Sequence, residues 1–460
     1  MRSVLFYCLH LLFDGRACYI HLENIAIIIN DAEVGAMFKG ACKSVFTAIV
    51  FALLFCACTG AAPETAVPES AVPEEETNAS AASADTASAG GEKVIAFING
   101  VLIDGTGAEP VSNAEVIVRD GRIEKAGAYN ESDIPADAVV YDLKGASVLP
   151  GFINAHVHRS YDEENLKNWV NAGVTTVRDE APMTGGDFLE ERDTLNKDPK
   201  NTTIVSSTPI ITVPGGYGAA QYESAEDARE MVLGYIDKNV DIIKTSIEDD
   251  LQGRRWSLPT YEEFESVVKT AHSRNKKVSV HISHSRNLQW AVNAGVDDIA
   301  HMVVEPLEPD IIEKLVEKDI YWVPTLELWK GVSEMHSLDW DRIAIENVSK
   351  YYKAGGKIAL GTDFSGYTCS FDKGFPITEV TLMKEAGMSN MDIIIAGTRN
   401  AAHVCDREKE LGTIEAGKKA DLLIVKGDPI ADINALTDVK AVMHGGVMVK
   451  GTVDEIDGGK

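Results

Sequence analysis

Histidine, aspartate and lysine side chains recur in this sequence where buried strands are expected to end, and together they could bind metal ions. His156 and His158 lie one residue apart in the segment Gly-Phe-Ile-Asn-Ala-His-Val-His, residues 151–158. Side chains alternate between the two faces of a strand, so both imidazoles would point the same way. Such a pair suits a borderline cation such as zinc. On its own, the pair is equally compatible with two polar residues at the end of a strand.

Four further polar residues end apolar runs later in the chain. Lys244 ends Asp-Ile-Ile-Lys, His281 ends Val-Ser-Val-His, His301 ends Asp-Ile-Ala-His, and Asp363 ends Ala-Leu-Gly-Thr-Asp. Each residue alone has an ordinary explanation, because a single histidine is usually a packed or surface group and a lysine at a strand end is usually solvated. Six such residues at successive strand ends favour a shared metal site.

The strands that must position these residues alternate with amphipathic helices from Pro150 onward. Helical patterns lie between the strands at 224–238, 260–274 and 309–318. Counting the strand before His156, there are eight β/α units over about 250 residues, the size of a parallel eight-stranded barrel. We therefore predict an α/β protein with a (β/α)8 TIM barrel at 151–406, whose active site lies at the carboxyl ends of the strands. Inside this barrel, Arg178 is expected to pair with Asp179.

Strand patterns also flank the predicted barrel on both sides. Residues 94–103 are strand-like, and Asp120-Gly121 is a strong hairpin signal. Similar strand patterns return near the carboxyl end of the chain. We predict that 93–150 and 407–455 together form one small β-sandwich.

The amino-terminal residues resemble a bacterial export signal. Met37 is followed by two lysines and by an apolar run, 45–55, that is too short for a comfortable membrane span. The run leads into Cys-Ala-Cys, which resembles a lipoprotein signal with Cys58 as the lipidated residue; an ordinary cleaved signal is the alternative. We predict that 1–58 comprises an upstream segment and a lipoprotein-type signal, with Met37 rather than Met1 as the initiator.

A polar segment, 59–92, separates this signal from the folded body. It is rich in Ala, Pro, Glu, Ser and Thr and contains neither aromatic nor basic residues. Such a segment buries too little apolar surface to offset the loss of chain entropy. We predict a disordered acidic linker that tethers the body to a membrane through a lipid on Cys58. The protein would then be an extracytoplasmic bacterial lipoprotein, periplasmic or on the cell surface.

Charge and cysteine usage exclude two classes of protein. The formal net charge is −28, which argues against nucleic acid as a partner because phosphate binding requires clustered basic residues. Of the seven cysteines, only Cys369 and Cys405 lie beyond residue 58, so a disulfide scaffold is excluded. An oligomer is compatible with the sequence, which leaves the oligomeric state open.

In combination, the motifs resemble the amidohydrolase superfamily, in particular its imidazolonepropionase-like and prolidase-like members. The similar segments include Leu149-Pro150-Gly151 before the histidine pair, 173–179, Gly361-Thr362-Asp363, Asn400-Ala401-Ala402 and 411–422. The resemblance extends over about residues 94–450 and is specific because the motifs occur together. It implies a TIM barrel and a metal-dependent hydrolase that cleaves a C–N bond.

The resemblance also implies a role for each residue of the metal set. His156, His158 and Asp363 would bind one ion, His281 and His301 would bind a second, and Lys244 would bridge the two as a carboxylated lysine. The expected cofactors are therefore two divalent metal ions, zinc by preference. Asp363 would also accept a proton from the attacking water and pass it to the leaving nitrogen. A one-metal site of the deaminase type, in which Lys244 has no role, is the alternative.

Substrate contacts are expected from the loops that follow the strands. Tyr217, in Pro-Gly-Gly-Tyr-Gly, could donate a hydrogen bond to a substrate carbonyl. Arg254 and Arg255 could bind a carboxylate such as the C-terminus of a dipeptide. His284 is a fourth candidate. Loop packing for Tyr217 and simple solvation for the arginines are the alternatives.

The leading hypothesis is a binuclear metal-dependent hydrolase that acts on a small molecule, a dipeptide-like compound or an acylated amino acid. A cyclic-amide ring-opening hydrolase and a mononuclear deaminase are the alternatives among enzymes. A surface lipoprotein that binds a ligand without turnover is the alternative from another class. Metal analysis distinguishes the non-catalytic lipoprotein from the enzymes, because a binding module would hold no transition metal after zinc supplementation.

Overall fold

The structure is a computed structural model that describes residues 94–184 and 187–452, together with the backbone of three strands nearer the amino terminus. These strands are β1 His10–Asp14, β2 Ala17–Leu22 and β3 Ile25–Asn30, which form an antiparallel sheet within the unit Met1–Ala87. The lipidation site predicted at Cys58 and the linker predicted at 59–92 lie outside the described residues. Within the described part of the chain, no helix is long and apolar enough to cross a membrane.

The folded body begins with five strands. They are β4 Val94–Leu102, β5 Val111–Arg119, β6 Arg122–Ala128, β7 Val139–Asp142 and β8 Ser147–Pro150. Strand β4 pairs with β5 in antiparallel fashion and with β7 and β8 in parallel. Between β5 and β6, Asp120 and Gly121 have φ values of 48° and 78°, as a tight type I′ turn requires. The hairpin predicted from this dipeptide is therefore confirmed.

Strands and helices alternate through the middle of the body. The strands are β9 Phe152–Val157, β10 Val174–Asp179, β11 Thr203–Ser206, β12 Ile211–Thr212, β13 Ala220–Gln221, β14 Ile243–Ser246, β15 Asp250–Leu251, β16 Arg254–Arg255, β17 Val278–His281, β18 Asp298–Ala300 and β19 Tyr321–Val323. Strands β11-β10-β9 form one parallel sheet, and β13-β12-β14-β17-β18-β19 form another. Strands β15 and β16 form a separate short hairpin.

Backbone contacts connect the edges of the two parallel sheets. Ser207 bridges to Ile242 on one side, and Trp322 bridges to Ile358 on the other. The amide of Ala155 donates to the carbonyl of Leu360 at 2.8 Å. The segment from Ile358 to Leu360, part of the apolar run that leads to Asp363, thus lies between β19 and β9, in the place of an eighth strand. The result is a TIM-barrel-like α/β arrangement.

The helices of the described body pack around these strands. They are α1 Glu163–Asn171, α2 Phe188–Leu195, α3 Ala225–Asp237, α4 Tyr261–Ser273, α5 Leu288–Ala294, α6 Pro309–Glu317, α7 Leu326–His336, α8 Trp340–Lys353, α9 Ile377–Glu385, α10 Asn390–Ile395 and α11 Ala401–Val404. Helices α3, α4 and α6 confirm the three predicted helical segments to within one residue at each end. Thr260 caps α4 in a capping box with Glu263, which satisfies amide groups that a helix start leaves unpaired.

The last three strands return to the first part of the body. They are β20 Leu422–Val425, β21 Val439–His444 and β22 Val447–Lys450. Strand β20 pairs with β8, and the sheet has the order β22-β21-β20-β8-β4-β5-β6, with β7 on β4. Strands from both ends of the body therefore share one sheet, as expected. The hydrogen bonds describe one eight-stranded sheet, and the two-layer sandwich and the domain boundaries at 93–150, 151–406 and 407–455 stay predictions.

Two buried carboxyl groups lie next to each other between α7 and α9. Glu379 is 0% exposed, and its Oε2 accepts a hydrogen bond from the amide of Glu327 at 2.7 Å, while its Oε1 has no partner. Burial raises the pKa of Glu327 and of Glu379 to about 8 each. A carboxyl group whose pKa is raised by folding costs stability once the pH exceeds its ordinary value, and the cost grows until the raised pKa is passed.

Glu379→Gln is expected to stabilise the protein at pH 8 and to leave its stability at pH 4 nearly unchanged. At pH 4 the carboxyl group is protonated in the folded state and mostly protonated in the unfolded state, whereas at pH 8 folding must bury a charge that the amide lacks. The gain at pH 8 should be at least about 1 kcal/mol, since each pKa unit corresponds to about 1.4 kcal/mol. Urea unfolding at both pH values measures it, with the exposed Glu385→Gln on the same helix as the control. Equal gains at both pH values would contradict this account.

Candidate metal centre

All six residues of the predicted metal set line one cavity of about 190 Å³. They are His156, His158, Lys244, His281, His301 and Asp363, and they share its wall with Glu180, Tyr217 and Gly366. Most of them lie at or just beyond the carboxyl ends of parallel strands, where the barrel mouth was expected. The fold thus brings together side chains that are far apart in the sequence.

His156, His158 and Asp363 form the tightest group. Asp363 Oδ1 lies 3.1 Å from His156 Nε2 and 3.0 Å from His158 Nε2. One potential ligand atom from each residue lies within 4.8 Å of the others, close enough for a single cation. His156 belongs to β9 and His158 follows it directly, so the alternation of the strand sends both imidazoles to the same side.

His281 and His301 extend this group. The ring centroids of His281 and His301 are 4.7 Å apart, and His301 lies at the same distance from His156. His281 Nε2 contacts Glu248 Oε2 at 3.2 Å, and His301 Nδ1 contacts Thr325 Oγ1 at 3.0 Å. Such partners orient an imidazole and leave its other nitrogen for a metal. The sequence interpretation did not identify Glu248 or Thr325, because neither ends an apolar run in a recognisable motif.

Three residues of the site have a left-handed backbone. The φ values are 70° for His301, 50° for Thr325 and 62° for Asp363. Residues other than glycine rarely adopt this conformation, and it is especially unfavourable for the β-branched threonine. Such strain persists only where the surrounding structure enforces it, and it is concentrated at functional sites.

Burial and neighbouring charges favour the metal-binding protonation state of His156, His301 and Asp363, whereas the pKa of His158 shifts in the opposite direction. Burial, aided by the charge of Lys244, lowers the pKa of His156 to about 4, and burial lowers the pKa of His301 well below its usual value. Burial would raise the pKa of Asp363, but hydrogen bonds from His156 and His158 outweigh it and lower the pKa well below the usual range. The pKa of His158 is raised, because contact with Asp363 outweighs its burial. Neutral imidazoles and ionised carboxylates are the forms that coordinate metals.

The donor set and the space around it fit a divalent cation. Two imidazole nitrogens and a carboxylate oxygen converge, a combination found in catalytic zinc sites. The Nδ1 atoms of His156 and His158 are buried and have no hydrogen-bond partner. Gly366 leaves room beside these ligands, because a Cβ atom there would lie 2.4 Å from Asp363 Oδ1 and 2.6 Å from His158 Cδ2.

Gly366→Ala is expected to weaken zinc binding by about tenfold or more, since changes beside metal ligands typically cost 10–100-fold in affinity. The added methyl group would push Asp363 and His158 out of their shared position. Competition with a zinc-binding dye measures the affinity. Gly234→Ala is the control, because a Cβ atom there meets nothing within 4 Å. Equal zinc affinities for the two variants would show that Gly366 does not shape the site.

Lys244 lies inside β14 and not at its end, because the strand continues to Ser246; the predicted strand end was wrong by two residues. Its Nζ lies 2.5 Å from Glu180 Oε2 in a fully buried ion pair. Glu180 also lies 2.7 Å from Arg178 Nε and accepts a hydrogen bond from Ser279 at 2.9 Å. The sequence interpretation missed Glu180, although its position directly after β10 is the same signal that identified the other residues.

Arg178 pairs with Asp298 and not with Asp179. Its two terminal nitrogens lie 2.8 and 2.9 Å from the carboxylate oxygens of Asp298. Asp179 faces the other way, where a serine donates to its carboxylate. Neighbouring residues of a strand point to opposite faces, so the predicted pair was wrong. A buried network of two cations and two carboxylates therefore lies beside the metal ligands. Its members are Arg178, Lys244, Glu180 and Asp298.

Tyr217 and Arg254, two of the predicted substrate residues, line an outer cavity of about 360 Å³. This cavity shares His281, His301 and Asp363 with the metal cavity. The ring of Tyr217 stacks on His281, with centroids 4.2 Å apart. Burial raises the pKa of Tyr217, so its phenol stays protonated and can act as a donor.

The other two predicted substrate residues, Arg255 and His284, line neither cavity. Arg255 follows Arg254 in β16 and points to the opposite side, where its side chain is 86% exposed. His284 Nδ1 contacts Glu305 Oε1 at 2.8 Å, and this contact holds the imidazole outside both cavities. The structure therefore groups Tyr217 and Arg254 with the site and places Arg255 and His284 outside it.

A TIM-barrel-like fold with imidazole and carboxylate ligands at the strand ends is typical of metal-dependent hydrolases. The chain belongs to the amidohydrolase family, whose profile matches residues 147–449. The resemblance inferred from the motifs is thus confirmed. The protein is accordingly a hydrolytic enzyme of the class that acts on amide bonds.

Named relatives support this assignment. Ochratoxinase of Aspergillus niger is 23% identical over 429 residues, which cover 78% of this chain and 87% of the relative. Imidazolonepropionase of Thermoanaerobacter pseudethanolicus is 24% identical over 369 residues, which cover 69% of this chain and 85% of the relative. A crystal structure of a Xaa-Pro dipeptidase with bound methionine matches with a TM-score of 0.69 and 24% identity, over 78% of this chain and 100% of that chain. This last match shows a shared fold.

Proposed function

We propose that the protein is a metal-dependent hydrolase that cleaves the C–N bond of a small amide, such as a dipeptide or an N-acyl amino acid. The observation that carries this proposal is the buried group of His156, His158 and Asp363, whose ligand atoms lie within 4.8 Å of one another. The proposal includes a closed eight-stranded barrel around this group.

In this proposal the cavity holds two divalent cations. His156, His158 and Asp363 would hold the first, and His281 and His301 the second. A bound cation supplies Lewis-acid polarisation of a carbonyl and lowers the pKa of water. Carboxylated Lys244 is the proposed bridge, and its amine would have to leave the ion pair with Glu180 before it could be carboxylated.

Two side chains of the cavity carry the proton and charge changes of hydrolysis. Asp363, which the neighbouring imidazoles keep ionised, accepts a proton from the water that attacks the carbonyl carbon and transfers it to the leaving nitrogen. Tyr217, held against His281, donates a hydrogen bond to the carbonyl oxygen as negative charge develops there. Both side chains border the metal cavity and the outer cavity, so substrate can reach them.

The test uses full-chain protein stripped with a chelator and then reloaded with zinc. We expect it to release amine from dipeptides or N-acyl amino acids only after reloading. Turnover confined to lactams or imides would replace the proposal with a ring-opening hydrolase. Release of ammonia alone would indicate a deaminase, and the absence of both bound metal and turnover would indicate a binding module.

A further inference from the structure

We propose that the outer cavity selects amides whose amine half is an aromatic amino acid with a free carboxylate. This inference rests on the proposed function and specifies its substrate class. The cavity has a volume of about 360 Å³ and shares His281, His301 and Asp363 with the metal cavity. This volume is near the lower end of the range for small-molecule pockets, about 300–1,000 Å³. A single amino-acid half, placed beside the scissile bond, therefore suits it.

Aromatic side chains form much of the wall of this cavity. They are Tyr217, Trp256, Trp329, Trp340 and Tyr367. Trp329 and Trp340 meet edge to face with centroids 5.6 Å apart, and Tyr217 and Trp256 do so at 5.2 Å. An aromatic ring that enters such a wall adds further ring contacts, each worth about 0.5–1.5 kcal/mol beyond the area it buries. The wall therefore favours an aromatic side chain over a small or polar one.

Arg254 gives this apolar cavity a binding group for a carboxylate. Among the described residues that line it, Arg254 is the one lysine or arginine. Its guanidinium lies 5.0 Å from the ring centroid of Trp256, and the stacking holds the cation at the wall. A guanidinium binds a carboxylate through paired hydrogen bonds. Since the cation and the aromatic wall face the same space, the carboxylate and the aromatic ring belong to the same half of the substrate.

The reaction that follows is an ordinary hydrolysis. Water adds its oxygen to the carbonyl carbon, the C–N bond breaks, and a proton passes to the nitrogen. The products are a carboxylic acid and a free aromatic amino acid. No oxidant, reductant or further reactant is required.

The first test compares N-acetyl-L-phenylalanine, N-acetyl-L-alanine and N-acetyl-L-phenylalanine amide as substrates of the zinc-loaded full-chain protein. We expect kcat/KM to be at least about tenfold higher for the phenylalanine compound than for the alanine compound, and to fall by about tenfold or more when the carboxylate is blocked. Equal rates with the three compounds would overturn the inference and leave the proposed function standing. If none of the compounds is hydrolysed, the proposed function fails for N-acyl amino acids. The binding measurement described next then tests the inference on its own.

The second test measures binding of the product amino acids by calorimetry, which requires no turnover. L-Phenylalanine should bind at least about tenfold more tightly than L-alanine, and Arg254→Met should weaken its binding by about tenfold, the effect of losing a charged hydrogen bond. Arg255→Met is the matched control, because Arg255 is exposed like Arg254 but lines neither cavity. Equal affinities for the two amino acids, or equal effects of the two arginine substitutions, would overturn the inference.

Discussion

Asp363→Asn is expected to lower kcat for amide hydrolysis by roughly 10²–10⁴-fold even at saturating zinc, the usual contribution of a general base. Asparagine has nearly the same shape as aspartate, so the backbone and its neighbours are retained. It carries no negative charge and cannot accept the proton of the attacking water. The variant should therefore fold correctly but have a lower kcat. Its affinity for metal should also be lower.

The contacts of Asp363 explain why the change is severe. Its Oδ1 lies 3.1 Å from His156 Nε2 and 3.0 Å from His158 Nε2. A single carboxylate oxygen thus contacts both histidines of the first ligand group. The left-handed backbone at Asp363, with φ 62°, persists only because the surrounding structure enforces it. Enzyme assays and zinc analysis on the same samples separate the two effects. Asp310→Asn, at a position with 76% side-chain exposure, is the control, and a zinc-loaded Asp363→Asn variant with kcat within tenfold of the original would refute the role of this carboxylate.

Glu180→Gln is expected to destabilise the metal-free protein by about 3–5 kcal/mol, the usual cost of removing one partner from a buried ion pair. The carboxylate of Glu180 lies 2.5 Å from Lys244 Nζ and 2.7 Å from Arg178 Nε, and the three side chains are at most 1% exposed. Arg178 retains Asp298 as a partner. Lys244 would be left as a buried ammonium beside a neutral amide, and this uncompensated charge accounts for the cost.

A second substitution tests that explanation. The double variant Glu180→Gln/Lys244→Met should recover part of the stability, because it removes both charges of the pair and the two effects are coupled. Urea unfolding of the single and double variants measures the coupling. A loss below about 1 kcal/mol for Glu180→Gln would mean that Lys244 is not a cation in the folded protein, since surface-like effects have that size. That outcome would favour the carboxylated form of Lys244.

Much of the architecture was predictable because its signals are local. The helices α3, α4 and α6 were located to within a residue because apolar spacing acts within a few turns. Side-chain caps mark the starts of α3 and α4, and a proline marks the start of α6. The turn at Asp120-Gly121 was recognisable because two left-handed residues in succession are strongly favoured by that dipeptide. The shared direction of His156 and His158 followed from the two-residue period of a strand.

Errors arose where the answer depends on the neighbouring strand. Arg178 was assigned to Asp179, its neighbour in sequence, although the bonding partner is Asp298 on a different strand. Glu180 carried the local signal of a polar residue directly after a strand, but its pairing with Lys244, which the fold places 2.5 Å away, could not be inferred from the sequence. Pairing across strands depends on register, and register is set by the packing of the whole barrel.

The sequence by itself determined the family, the order of strands and helices, and the kinds of ligand atom available, because these depend on residue types and on spacings within one element. Only the tertiary structure decided which groups meet. Both Arg254 and Arg255 are exposed, but only Arg254 lines the cavity that holds three tryptophans. The sequence of two adjacent arginines does not show which of them faces the cavity. The physical reason is that charge, burial and contact distance are properties of pairs of residues brought together by folding.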